Sequence, residues 1–322
     1  MKKFLGFIFL SLFLNQLAYS QEMDTATAKK LLSGVFPNIS GKDAGAFAFS
    51  VMGTEVYKLG EDSKKQKGVP EGAVTKYHLS DSKIYPGTER DYWIYVPKQY
   101  DTKVPACLMI FQDGENYLTD SSFLATNALD NLINKKEIPV IIAVFINPGD
   151  KGPGGPIYGG VGNRSIEYDS VGPTYPKFLI EDIMPKVTQL YNITKDPKGR
   201  ALVGISSGGL AAFNAAWERP DVFGKVVSHV GSFVDIRGGD EFPNLIRRTP
   251  KRRIKVFLQD GENDLDLIFG SWTLANKEMA AALEYSGYDY KYVFGTGRHS
   301  LRHGGSIFPE TLRWLWSDYP KQ

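Results

Sequence analysis

The sequence predicts an α/β fold with a mostly parallel central sheet covered by helices on both faces. Three observations carry this. From about Val74 onwards, strand-like apolar runs punctuated by Gly, Pro and Asp alternate with segments of helical periodicity. A glycine-rich pattern, Gly204-Ile205-Ser206-Ser207-Gly208-Gly209, stands between one such run and a helix of small residues. Finally, 322 residues at 42% hydrophobic, 13% aromatic and 23% charged can enclose one large core, which excludes a disordered or fibrous chain.

Each element follows from its local chemistry. Strand-like runs occupy residues 91–96, 106–111, 140–146, 201–204, 225–229, 254–258 and 290–294, and Lys76-Tyr77-His78-Leu79 adds another. Helical spacing marks 177–190, 208–217, 274–285 and 307–316. Within 177–190, Pro185 predicts a kink or a break. Cys107 falls inside the run 106–111 and is assigned to the core rather than to thiol chemistry. The stretch 147–163 is rich in Gly and Pro, and so long a loop in a compact domain is expected to be functional or mobile.

Residues 1–20 combine a basic start, an apolar stretch from Phe4 to Leu14 and the small residues Ala18-Tyr19-Ser20, the pattern of a secretory signal peptide. The stretch falls short of the ~20 apolar residues of a membrane span, which predicts export to the periplasm or medium without stable membrane insertion. Residues 21–72 are weakly patterned and are assigned to an N-terminal extension, with the folded domain over 73–322. Without Lys2 and Lys3 the chain carries 36 basic and 36 acidic residues. Such balance argues against nucleic acid as the main partner, because that binding needs a clustered basic excess. One Cys and four His leave no internal disulfide and no Cys/His zinc cluster, so no metal is expected.

The glycine-rich pattern fits a nucleophile elbow. A sharp strand-to-helix turn forces its Ser into a strained conformation, and the flanking glycines keep Cβ atoms out of the adjacent strand and helix. Ser206 has that symmetric glycine spacing; Ser207 beside it does not. A serine nucleophile needs a base and an acid to orient it, in the order Ser, acid, His on this architecture. That order eliminates His78 and assigns His229, which precedes every candidate acid, to packing or to the site rim. His299 follows the turn Phe294-Gly295-Thr296-Gly297-Arg298 directly after a strand and is the favoured base. His303 is left to face solvent, line the pocket or support the loop.

For the acid, 254–259 leads into Asp260-Gly261-Glu262-Asn263-Asp264-Leu265-Asp266. The Gly-x-x-Asp spacing favours Asp264, with Asp260 and Asp266 behind it, and an acidic surface turn or a calcium loop is the competing reading. A developing oxyanion needs two backbone N–H donors. One is assigned to Ser207, the other to Gly114 or Glu115 in the turn that follows Phe111.

From about residue 82 to 320 the chain resembles the Putative esterase family of alpha/beta hydrolases, which includes enterochelin esterases and the feruloyl and acetylxylan esterases of carbohydrate esterase family one. The resemblance rests on Tyr85-Pro86-Gly87-Thr88-Glu89-Arg90-Asp91-Tyr92, Phe111-Gln112-Asp113-Gly114, Asn163-Arg164-Ser165-Ile166-Glu167-Tyr168-Asp169, the elbow, Gly261-Glu262-Asn263-Asp264 and Gly297-Arg298-His299-Ser300. It implies an alpha/beta hydrolase fold, Ser206 as nucleophile, Asp264 as acid and His299 as base, with no cofactor. It also implies that Arg164 and Glu167 help to build the pocket. Ser228-His229-Val230-Gly231-Ser232 departs from the family pattern and puts His229 near the elbow, as a candidate substrate contact. Tyr158, Phe233, Phe269 and Trp272 lie on predicted loops and are candidates to stack on a sugar or feruloyl ring, core packing being the commoner fate. The expected substrate is a feruloyl or acetyl ester of plant cell wall polysaccharide, followed by a siderophore ester. A carbohydrate-binding scaffold without turnover and an acyltransferase are the competing classes.

Overall fold

The computed structural model describes residues 40–151 and 162–320. The signal peptide, the start of the extension and Tyr158 lie outside the described residues. The strands are β1 (Ala73–Leu79), β2 (Arg90–Val96), β3 (Cys107–Gln112), β4 (Ile141–Ile146), β5 (Arg200–Ile205), β6 (Lys225–His229), β7 (Lys255–Asn263), the short β8 (Asp266–Leu267) and β9 (Gly270–Ser271), and β10 (Asp289–Arg298). Eight of them form one sheet in the order β1-β2-β4-β3-β5-β6-β7-β10. β1 pairs antiparallel with β2 and β2 with β4; the remaining pairs are parallel. β8 and β9 make a small separate hairpin.

The helices are α1 (Gly41–Met52), α2 (Gly114–Thr119), α3 (Ala125–Asn134), α4 (Arg164–Tyr168), α5 (Thr174–Phe178), α6 (Met184–Leu190), α7 (Ser207–Glu218), α8 (Phe242–Arg248), α9 (Trp272–Tyr285), α10 (Leu301–Ser306) and α11 (Phe308–Leu315). Successive side chains of β3 divide between two cores. Leu108 and Ile110 join a cluster with Phe178 of α5, Phe213 of α7, Phe242 of α8 and Met279 of α9. Met109 and Phe111 join another with Leu129 of α3 and Phe308 and Leu312 of α11. Both sheet faces are therefore covered, which is why the central strands are apolar on both sides instead of alternating. Cys107 is buried in β3, and burial pushes its thiol up to about 12, as suits a core residue.

Two differences from expectation have clear causes. The segment 177–190 does not break at Pro185; it runs on from α5 through a π turn at Leu179–Ile183 into α6. Pro185 has no N–H to return to the preceding turn, and a wider turn absorbs that missing bond. The extension is not patternless either: α1 begins at Ser40, whose hydroxyl caps the Asp43 N–H at 3.0 Å, and buries Ala44 and Ala48.

Glu167 departs from its predicted place in the pocket. Its carboxylate is fully buried and receives Arg90 Nη1 at 2.5 Å and Nη2 at 2.9 Å. Asn163 Nδ2 at 2.9 Å and the Gly149 N–H at 3.3 Å complete its shell, and the Arg90 guanidinium lies 4.2 Å over the Phe178 ring. The pair pins both ends of the 147–163 stretch to β2. Glu167→Ala leaves the Arg90 charge buried without a partner, so urea unfolding is expected to show a loss of about 3–5 kcal/mol.

Candidate active site

Parallel strands release their following loops at the same edge of the sheet, and the predicted residues collect there. At the end of β5 the chain turns into α7 through Ser206, which adopts φ 57 and ψ −126, outside the regions favoured by residues with a side chain. The turn is so tight that a Cβ on Gly204 would lie 2.0 Å from the Gly208 carbonyl oxygen, which explains the flanking glycines. The Ser206 N–H donates to the His229 carbonyl of β6 at 2.9 Å.

Asp264 leaves the end of β7 and His299 the end of β10. The structure brings the three predicted side chains into a line: His299 Nε2 lies 2.8 Å from Ser206 Oγ, and Nδ1 lies 2.6 Å from Asp264 Oδ1. Burial pushes His299 down to about 4, so its ring is neutral at pH 7 and Nε2 can accept a proton. Burial raises Asp264, while hydrogen bonds from Asp260 and the Leu265 N–H act the other way. Asp266 is exposed on β8, away from this line.

The adjacent end of β3 supplies the second wall. Asp113 sits in the left-handed region at φ 54, and α2 starts at Gly114 against the ends of β4. Ser207 and Gly114 are first residues of helices, whose leading N–H groups have no acceptor within the helix. The Glu115 N–H is already engaged with Asn147 Oδ1 at 3.1 Å, so Gly114 is the better placed of the two predicted donors. Arg164 grips Asp113 through two bonds, at 2.8 and 2.6 Å, and reaches Ser207 Oγ at 3.1 Å while 27% of its side chain stays exposed. It thus stands beside the start of α7, next to the elbow.

Two other predicted contacts are elsewhere. His229 is fully buried, with Nδ1 3.0 Å from the Tyr117 hydroxyl and its ring edge-on to Phe123; its backbone braces the elbow, but its side chain cannot reach a substrate. Trp272 is 3% exposed. Its indole packs edge-on to the His299 ring at 5.9 Å and donates to Ser232 Oγ at 3.0 Å, making it a brace rather than an open platform. Phe233 is buried in the core, and Phe269 is half-buried in an apolar cluster that packs Phe47, Val51 and Leu267 with it against Trp272, Val234 and Leu265. His303 faces Gln259 at 3.1 Å and stacks on Tyr57 at 4.0 Å, so it supports the loop.

Several residues at the site carry no sequence signal. Ser232 Oγ is 3.2 Å from Ser206 Oγ; because Trp272 donates to it, its own proton is free to point at the Ser206 oxygen. From the extension, the Ser50 carbonyl and hydroxyl both accept the His299 N–H at 3.1 Å, and Glu55 accepts from the Arg298 N–H at 3.2 Å and from Ser300 Oγ at 2.7 Å. Arg298 also bonds the Phe49 carbonyl. No local motif marks contacts made across some 250 residues of chain.

An alpha/beta hydrolase with a serine at its elbow is the class that this fold and site define. The profile of the Putative esterase family matches residues 84–314, well over half of the chain, and the chain belongs to that family. It is 24% identical over 243 residues to the iron(III) enterobactin esterase of Dickeya dadantii, covering 70% of this chain and 52% of that one. An uncharacterized protein of Bacillus subtilis is 24% identical over 148 residues, 45% of this chain and 57% of its own. This chain thus spans just over half the length of both relatives. Among solved structures, the enterobactin esterase of Shigella flexneri superposes with a TM-score of 0.62 at 18% identity, over 83% of this chain and 64% of that one. A carbohydrate esterase family one ferulic acid esterase of Anaeromyces mucronatus gives 0.59 at 18% identity, over 79% and 94%.

Two outcomes follow from this geometry. Burial lowers the His229 imidazole to about 3, against ~6.5 in an unfolded chain, so the folded protein binds fewer protons between those values and loses stability as pH falls through them. Relative to His229→Asn, urea unfolding of the wild type should weaken by about 1.4 kcal/mol per pH unit from pH 6 to pH 4. Ser50→Ala removes one of the two acceptors of the His299 N–H and is expected to lower esterase kcat about fivefold with KM unchanged, read from steady-state kinetics.

Proposed function

We propose that this chain is an exported serine carboxylic-ester hydrolase with Ser206 as nucleophile, His299 as base and Asp264 as the orienting acid. The observation that carries the reading is the continuous line from Asp264 Oδ1 through both His299 nitrogens to Ser206 Oγ, at 2.6 and 2.8 Å, beside two helix-start N–H groups. His299 Nε2 takes the Ser206 proton as Oγ attacks the ester carbonyl. The Ser207 and Gly114 N–H groups meet the oxyanion, and Asp264 stabilises the imidazolium. The imidazolium then protonates the leaving alcohol, and a water activated by the same ring releases the acid from Ser206. Protons move only between these groups, substrate and water.

The favoured substrate is a feruloyl or acetyl ester of plant cell wall polysaccharide. The ferulic acid esterase neighbours support it, as do the half-buried apolar side chains of Phe47, Leu267 and Phe269, packed against the Trp272 that braces His299. A siderophore ester is the second reading, favoured by the enterobactin esterase relatives. Export rests on the basic and apolar start of the sequence.

Purified protein assayed on methyl ferulate, p-nitrophenyl acetate and a catecholate siderophore is expected to turn over at least one, with Ser206→Ala lower by about 10⁴-fold or more. Preference among the three assigns the substrate class. A wild type inactive on all three and inert to a fluorophosphonate would overturn the esterase reading in favour of a binding scaffold.

A further inference from the structure

Asp260 takes no part in the mechanism above, yet it is completely buried just ahead of Asp264 in the chain, on β7 opposite Phe294 of β10. Among the described residues no donor reaches either of its carboxyl oxygens in hydrogen-bond geometry, and the same is true of Asp264 Oδ2. The two carboxyls act directly on each other. Two carboxylates offer only acceptors, so a bond between them requires that one of them keep its proton. The other oxygen of Asp264 already receives His299 Nδ1 and the Leu265 N–H at 2.6 Å, both of which favour its ionised form.

We propose that Asp260 is a neutral carboxylic acid that donates its proton to Asp264 Oδ2, a positioning residue that keeps Asp264 ionised against His299. Burial and the neighbouring Asp264 both push Asp260 well above the usual carboxylate range, as this role requires. The groups acting on it are Asp264 just past the end of its own strand, which holds it neutral, and the Gly261 N–H and His299 from the loop after β10, which act the other way. Tyr292 of β10, whose buried hydroxyl has no partner among the described residues, senses both carboxyls. Glu55 of the extension acts on Asp264 and Arg164 of α4 acts on His299. Glu55 opposes ionisation of Asp264, whereas the Asp260 O–H favours it. Without that donor Asp264 becomes protonated at higher pH and no longer stabilises the imidazolium.

The kinetic part of the test rests on the serine-esterase reading; the spectroscopic part does not. In the pH profile of kcat/KM, Asp260→Ala is expected to move the acid limb up by about one pH unit, a tenfold loss at a fixed pH below the limb. Asp260→Asn places an N–H donor on the same oxygen and is expected to keep the limb within a few tenths of a unit of wild type. A change that merely loosened packing would lower kcat without moving the limb. Independently of turnover, the infrared spectrum of the wild type at pH 7.5 should contain a carboxylic-acid carbonyl band that Asp260→Asn lacks. Absence of that band, an unmoved limb in folded Asp260→Ala, or equal shifts in both variants would overturn the proposal. If Asp260→Ala does not fold, the band and the Asp260→Asn profile decide it, and inertness to fluorophosphonate would refute the esterase reading while leaving the band to be judged alone.

Discussion

The turn at Ser206 is the constraint on which the site depends. A residue with a side chain at φ 57 and ψ −126 is strained by about 1–3 kcal/mol, and it persists only where the surroundings over-determine it. Here its N–H is held by the His229 carbonyl, while its own carbonyl accepts from Gly209, Leu210 and Ser232. The strain projects Oγ out of the sheet edge. Once β5 is fixed in that way, the parallel order places the end of β3 on one side and those of β6, β7 and β10 on the other. The spacing of strands then sets the spacing of Gly114, Ser206, Asp264 and His299.

Around that turn, polar side chains come in chains in which each donor faces an acceptor. Trp272 donates to Ser232, which is free to donate to Ser206; Arg164 bridges Asp113 and Ser207; Asp264, His299 and Ser206 form a third series. In a low-dielectric site an unmatched group would be expensive, and a matched one is stiff. His229 belongs to this frame through its backbone and not through its imidazole, which is why burial neutralises it without loss to the site.

Much of this was legible in the residues. Periodicity located the central strands, because strands buried on both faces are continuous apolar runs. The elbow glycines, the acid after β7 and the His after β10 were legible because each answers to a local requirement: a tight turn, or a loop at a strand end. Glu167, His229 and Trp272 misled because a polar or aromatic residue near a motif looks the same whether it faces a pocket or a buried partner. Nothing local in Glu167 announces Arg90, 77 positions away. The helix α1 was missed because Gly41, Ala44, Gly45 and Ala48 dilute its apolar face, and its stability comes from what it packs against.

What it packs against explains why the extension belongs to the site. β10 closes the sheet at one edge, so the backbone groups on its outer side have no neighbouring strand. His299 leaves from that edge, the least constrained position in the sheet for a residue that must hold a distance of 2.8 Å. The segment from Ser50 to Tyr57 takes the place of the missing strand. Tyr57 accepts the Thr296 N–H, Glu55 the Arg298 N–H and Ser50 the His299 N–H, one acceptor after another along the departing chain. Arg302 returns from α10 to the Gly53 carbonyl and closes the loop from its far side. A base carried on an edge loop thereby gains the rigidity of an interior one. The extension supplies by side-chain and backbone acceptors what the sheet order denies to β10.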